Sequence, residues 1–194
     1  MDKLSPSCFI PPEKEGALLM YNSTPHPLFQ VMFGLPGSGK STYAKKRAAE
    51  GAVIVDADAI VTMIHGGNYR LYKPSWKPLY KAAEEHLVLA ALEAGLDVVL
   101  DRHCYKRKTR MNWARFIGEK FPKVHREIVR VESPLSLEAL AMRRTRRDAR
   151  SRTEQEWYDV ILLMNTLTDF PSDPMVEGYG SLVITPGAQT VDGD

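Results

Sequence analysis

Short runs of apolar residues alternate with longer stretches of helical periodicity along most of the chain. Phe29 to Phe33, Ala52 to Val55, Val98 to Leu100, Ile128 to Val131 and Leu182 to Ile184 are brief, largely β-branched or apolar, and bounded by polar or turn residues, so they predict buried strands. Between them the spacing predicts helices over Ser41–Glu50, Ala59–Ile64, Leu79–Ala94, Lys108–Lys120, Leu135–Thr145 and Glu154–Phe170. Trp157, Val160, Ile161, Met164 and Leu167 fall at three- and four-residue steps, giving the last helix one apolar face that belongs to the core. Regular alternation of strand and helix predicts an α/β domain whose parallel sheet is covered by helices on both faces.

The first 28 residues break this pattern. They hold Pro6, Pro11, Pro12, Pro25 and Pro27 and show no sustained period, so residues 1–28 are expected to form an extension outside the domain. The domain itself is expected over 29–187, with a frayed tail beyond it at 188–194. At 194 residues the chain is long enough to bury one sizeable core without disulfides. Cys8 and Cys104 stand far apart and without metal-ligand spacing, so they are expected to be free thiols in a reducing compartment. No apolar stretch approaches the ~20 residues of a membrane span, and the start lacks a signal-like apolar run, so a soluble cytoplasmic protein is expected.

The net charge of +2 conceals a strong asymmetry. From Asp101 to Arg152 there are 16 Lys and Arg against 6 acids, whereas after Arg152 no basic residue follows. Such a block calls for a polyanionic partner, either a nucleic acid or the phosphates of a bound nucleotide. Within it, Arg143, Arg144, Arg146, Arg147, Arg150 and Arg152 are interrupted by a single acid, Asp148. Mutual repulsion in that span would be relieved by an anion, as in a mobile lid over about 143–152 that closes on a triphosphate. Steps of four and three place Arg143, Arg147 and Arg150 on one face as phosphate contacts, leaving Arg144 and Arg146 to solvent or nucleic acid.

The chemistry begins at Gly34-Leu35-Pro36-Gly37-Ser38-Gly39-Lys40-Ser41, which matches G-x-x-x-x-G-K-[ST] directly after a predicted strand and before a predicted helix. Gly34, Gly37, Ser38 and Gly39 shape a loop whose N–H groups surround phosphates, Lys40 reaches the β and γ phosphates, and the Ser41 hydroxyl, with Thr42 beside it, serves Mg²⁺. Carboxylates follow at two strand ends, Asp56-Ala57-Asp58 and Asp101-Arg102-His103. Asp58 is either the general base for an attacking hydroxyl or a helix N-cap, with Asp56 supporting the turn. Asp101 is either an Mg²⁺ ligand or a surface turn residue. Arg102 and His103 are candidates for substrate contact, His103 alternatively capping a turn. Tyr69, Arg70 and Tyr72, in a loop near His65-Gly66-Gly67, are further substrate-side candidates. Basic residues mixed with Tyr105 and Trp113 between Arg102 and Arg115 suit a nucleic-acid backbone and its bases, although Trp113 also fits a core position.

The combination of Gly34–Thr42, Val55-Asp56-Ala57-Asp58, Val98–His103 and the arginine lid resembles the kinase domain of phage-type polynucleotide 5′-hydroxyl kinases over about residues 29–185, and is similar to zeta-toxin-like and AAA_33-like P-loop kinases. The resemblance implies ATP and Mg²⁺ as cofactors, Lys40, Asp58 and Arg147 as catalytic residues, and a nucleic-acid acceptor, DNA ahead of RNA. It places an arginine for the acceptor phosphate near Val61, where this chain has an apolar side chain. Hydroxymethyl pyrimidines in DNA, and a small metabolite or nucleotide sugar, therefore stay open as acceptors. No Asn-Lys-x-Asp or Leu-Ser-Gly-Gly-Gln motif points to a GTPase switch or a transporter ATPase.

Overall fold

A computed structural model describes residues 26–147, 152–171 and 173–191. Cys8, most of the proline-rich extension, Arg150 and the rest of 148–151 lie outside the described residues. Each predicted strand is present: β1 (Leu28–Phe33), β2 (Val53–Asp56), β3 (Val98–Asp101), β4 (His125–Glu132) and β5 (Ser181–Pro186). They form one sheet in the order β2-β3-β1-β4-β5, with every neighbouring pair parallel. Among the described residues six α-helices accompany them: α1 (Lys40–Ala49), α2 (Ala57–Ile64), α3 (Lys77–Glu93), α4 (Arg107–Lys120), α5 (Leu137–Arg147) and α6 (Glu154–Thr166).

Alternation along β1 divides the core between two faces. Phe29, Val31 and Phe33 join Val98, Leu100 and Ile128 on one face, against Ile60 of α2, Val88 and Leu92 of α3, and Trp113 and Ile117 of α4. Met32, Val99, Val129 and Val131 point to the other face, against Ala44 of α1. Each such side chain contributes about 1.5–3 kcal/mol on leaving water, which is why five short strands hold together without a disulfide. Trp113 is thus a core residue.

A third cluster joins α5 to α6 through Leu140, Ala141, Trp157 and Ile161, with Leu35 of the glycine-rich loop packed against it. The helix carrying the arginines is therefore fixed to the phosphate loop by apolar contact. Thr153 starts α6 with a reciprocal cap, its hydroxyl accepting from the Glu156 N–H while the Glu156 carboxylate accepts from the Thr153 N–H. The apolar stripe of this helix is only half core. Trp157 and Ile161 are buried, but the helix ends at Thr166 and Leu167 lies exposed beyond it.

The expectation of a frayed tail fails for its first residues. Gly187 N–H donates to the Glu132 carbonyl, Ala188 N–H donates to the Ser38 carbonyl at 2.7 Å, and Ala188 is buried. Ser133 Oγ donates to the Ala188 carbonyl, and Arg143 Nη1 donates to the Thr190 carbonyl at 2.8 Å. These residues carry almost no apolar surface, so their hold comes from backbone hydrogen bonds that hydropathy does not report. Among the described residues, no helix is long and apolar enough to cross a membrane.

Candidate active site

Strand order reverses around β1, and the glycine-rich loop occupies the carboxyl end of that strand, where ligands bind in open parallel sheets. Gly39, at φ 106°, forms the N-cap of α1 in a left-handed conformation that a side chain would strain. The loop amides and the positive end of α1 consequently face the same space. Ser38 is buried, with no hydrogen-bond partner for its hydroxyl among the described residues. Lys40 Nζ donates to the carbonyls of Gly34 at 2.7 Å and Leu35 at 2.9 Å. Burial pushes the Lys40 ammonium down to about 8, partly opposed by the Asp101 carboxylate and reinforced by the nearby Arg144 guanidinium.

A cleft of about 1320 Å³ opens from this loop. Lys40, Ser41, Thr42, Asp58, Asp101, Arg102, His103, Arg143 and Arg147 all line it, so most of the sequence candidates converge on one space. The two aspartates after β2 divide their roles. Asp56 is the N-cap of α2, its Oδ1 accepting from Asp58 N–H at 2.8 Å and Ala59 N–H at 3.2 Å. The alternative of Asp58 as the cap is thereby corrected: Asp58 sits in the first turn of α2 and lines the cleft. Asp56 lies opposite Asp101 in the β2–β3 register, and burial together with that neighbouring carboxylate raises its pKa.

His103 packs its ring on Tyr105 at 5.1 Å and on Phe33 at 6.5 Å. Neither ring nitrogen makes a well-formed hydrogen bond among the described residues, although the Gly34 backbone lies close enough to favour the protonated form, and the ring is held mainly by stacking. Burial and the adjacent Lys40 charge push its pKa down to about 3, with the Gly34 backbone offsetting only part of the effect. It is a neutral imidazole at the mouth of the loop.

The arginines do not follow the simple helical assignment. Arg143 is buried against the 187–190 segment, while Arg144, predicted to face solvent or nucleic acid, lines the cleft with its guanidinium 4.8 Å from the Trp157 ring. Arg152 covers the same ring at 4.7 Å. Trp157 therefore serves two ends at once, its buried body in the α5–α6 core and its π-face under two cations. Arg147 lines the cleft and Arg150 lies outside the described residues.

A family model described as an AAA domain matches residues 30–162. The chain belongs to the AAA_33 family of P-loop kinases. Among solved structures, a chain of the Pnkp1/Rnl/Hen1 RNA repair complex aligns at 22% identity and TM-score 0.56, over 77% of this chain and 49% of that one. A Chloroflexus aurantiacus protein assigned as a kinase aligns at 17% identity and TM-score 0.60, over 82% and 85%. A component of the PezAT chromosomal toxin–antitoxin system of Streptococcus pneumoniae aligns at 12% identity and TM-score 0.57, over 84% and 70%. At these identities the likeness is one of fold. The chain spans about half the length of the repair-complex chains it matches. No curated protein sequence matches it significantly.

Opposite the AAA_33 phosphate loop, the cleft is walled by residues of α2, the 65–76 segment and α3. Tyr69 and Tyr72 line it, whereas Arg70 is exposed and is not among the lining residues. Sequence reasoning missed Lys77, Tyr80, Lys81 and Glu84, which also line it. Their signal was available, because positions 77, 80, 81 and 84 share one face of α3. Glu84 is buried and its Oε2 accepts from Arg102 Nη1 at 2.6 Å, while its Oε1 finds no partner among the described residues. Burial raises the Glu84 pKa against the opposing pull of Arg102. Arg110, counted within the basic run, is structural. It is fully buried and grips Glu177 through two hydrogen bonds, Nε to Oε2 at 2.6 Å and Nη2 to Oε1 at 2.8 Å.

Proposed function

We propose that this AAA_33 chain transfers the γ-phosphate of ATP to a hydroxyl of a nucleic acid, DNA ahead of RNA, either a strand-terminal sugar hydroxyl or a hydroxymethyl pyrimidine. The observation that carries this reading is the continuity of the cleft from Lys40 and Ser41, past Asp58, to Lys77, Lys81, Arg102 and Arg115. At about 1320 Å³ it exceeds the roughly 300–1,000 Å³ of ordinary small-ligand pockets, and its far end carries Lys77 and Arg115 beside the ion pairs Lys81–Glu85 and Arg102–Glu84 and the Glu119 carboxylate. A nucleotide fills one end of such a space and leaves the other to an anionic chain.

In the reaction, the Asp58 carboxylate accepts the proton of the acceptor hydroxyl as its oxygen bonds to the γ-phosphorus. The bond to the bridging oxygen breaks and its electron pair leaves on ADP. Loop amides and Lys40 hold the phosphates, and Arg147 with neighbouring arginines offsets the charge that develops. Among the described residues no cluster of three or more His, Cys, Asp or Glu side chains could hold a metal. The donors at hand, the Ser41 hydroxyl and the Asp101 carboxylate, fit Mg²⁺, which takes few protein ligands and completes its shell with phosphate and water. Bound there, it would neutralise phosphate charge.

Incubation with γ-labelled ATP and a panel of oligonucleotides, hydroxymethylated duplexes, nucleosides and polyols tests the reading. Label on an oligonucleotide or modified duplex is the expected result. Label confined to nucleosides or polyols would replace it with the small-metabolite alternative.

A further inference from the structure

The acceptor end of the cleft contains a row of stacked rings that the phosphoryl-transfer chemistry leaves unused. Tyr69 and Tyr72 lie 6.1 Å apart with planes only 7° from parallel, and Tyr72 stacks in turn on Tyr80 at 5.4 Å. Tyr80 is buried and doubly tethered, its hydroxyl accepting from the Lys73 N–H at 3.1 Å and meeting His65 Nε2 at 2.7 Å. His65 stacks on Trp76 at 5.3 Å, and Lys73 closes the row 4.7 Å from the Trp76 ring. Five rings are thus linked: Tyr69 and Tyr72, half-buried, and the buried Tyr80 line the cleft, with His65 and Trp76 behind them. A fold needing only to fill space here would use aliphatic side chains. Instead three tyrosine rings line the cleft wall, with 7° between Tyr69 and Tyr72 and 28° between Tyr72 and Tyr80, and His65 meets Tyr80 edge-on from behind, which gives that wall a rigid aromatic lining.

The position of the row matters as much as its shape. Val61 lines the cleft one helical turn beyond Asp58 on α2, so the apolar wall begins beside the candidate base and continues to Tyr72 and Tyr69. Lys77 and Lys81 flank it from α3. A hydroxyl placed at Asp58 therefore has an apolar, planar surface beside it and cations beyond. That sequence of chemistries matches a nucleotide: reacting sugar hydroxyl, then base, then the phosphates of the following residues.

Resting on the nucleic-acid reading above, the geometry points to Tyr69, the end ring of the row and backed by Tyr72, as a stacking platform for the unpaired base of the nucleotide that carries the acceptor hydroxyl. Stacking on a ring reads no base edge, so the platform accepts any of the four bases. It selects a strand end whose terminal base is free to leave its stack, and it disfavours acceptors with no ring to place there.

The test is steady-state phosphorylation by the full chain of oligonucleotides that differ only at the terminal residue, a normal nucleotide or an abasic tetrahydrofuran analogue with the same hydroxyl. Stacking predicts a KM about tenfold higher for the abasic end, with kcat little changed. Tyr72→Leu, which removes the ring that backs Tyr69, narrows the KM difference between the two ends, and Tyr72→Trp restores it. Tyr69→Leu supplies a second variant, and the wild-type comparison of the two ends stands even where a variant fails to fold. Equal KM for both ends in the wild-type enzyme would overturn the platform while the labelled oligonucleotide upholds the nucleic-acid reading. Label only on hydroxymethyl pyrimidines would also overturn it, because the reacting group would then sit on the base itself. If no nucleic acid is labelled, the underlying reading falls and the platform falls with it.

Discussion

The donor and acceptor ends of the cleft are built by different means. The donor end is mostly backbone: loop amides, the start of α1, and carbonyls that hold Lys40, all at fixed offsets along a short stretch. The acceptor end is mostly side chain, drawn from α2, the 65–76 segment, α3 and the segment after β3. Backbone geometry around a phosphate leaves little freedom of sequence, because only glycine tolerates the conformations and close approaches involved. A wall of side chains can be assembled from many sequences. What it binds is a matter of shape and charge, so the chemistry class is held constant at one end while the acceptor varies at the other.

Asp58→Asn should separate the two ends most sharply. Turnover is expected to fall by about 10²–10⁴ as the general base is lost, with nucleotide affinity unchanged in a binding titration. An unaltered turnover would move the base elsewhere. Glu177→Ala asks what part of the basic run is framework. With the Arg110 guanidinium left buried and unpaired, denaturant unfolding should show a loss of about 3–5 kcal/mol. A loss of oligonucleotide affinity at intact stability would instead return Arg110 to the binding surface.

Gly187→Ala acts on the donor end alone. A Cβ there would press on the Ser38 and Glu132 carbonyls, both backbone atoms with little room to give, at a cost of about 1–3 kcal/mol. Nucleotide affinity should weaken correspondingly, while KM for the acceptor stays constant. The smallest effect is expected from pH. Because Lys40 titrates near 8 in the nucleotide-free chain, raising the pH above that value removes its charge, and nucleotide affinity should fall by up to about tenfold per pH unit. Lys40→Arg should flatten that profile. In the absence of nucleotide the sign reverses for stability: between about 8 and 10.5 the unfolded chain binds the extra proton, so the folded state gains as pH rises through that window.

The same contrast explains which features were legible in the sequence. The five strands and the glycine-rich loop announce themselves by local pattern, and each was found where the pattern placed it. Asp56 and Asp58 could not be separated in this way, since both suit a helix start and only the backbone decides which carboxylate turns back on it. Arg144 was assigned outward by its helical step alone, yet α6 packs beside it and supplies a Trp157 face. The Arg110–Glu177 and Arg102–Glu84 pairs join residues distant in sequence, and no spacing rule reaches them. Tyr69 and Tyr72 drew notice as loop aromatics, but their alignment with Tyr80 depends on the turn between them.

The hydrogen bond from Ala188 to Ser38 orders events during synthesis. β1, the glycine-rich loop and α1 leave the ribosome early, with every residue of the nucleotide motif in place. The partner that pins Ser38 follows β5, the strand at the opposite end of the chain's path through the sheet. Contacts so distant along the chain form late, after the intervening loop entropy has been overcome. A nascent chain can therefore display the complete motif well before the loop gains the backbone contact that Ala188 makes to it.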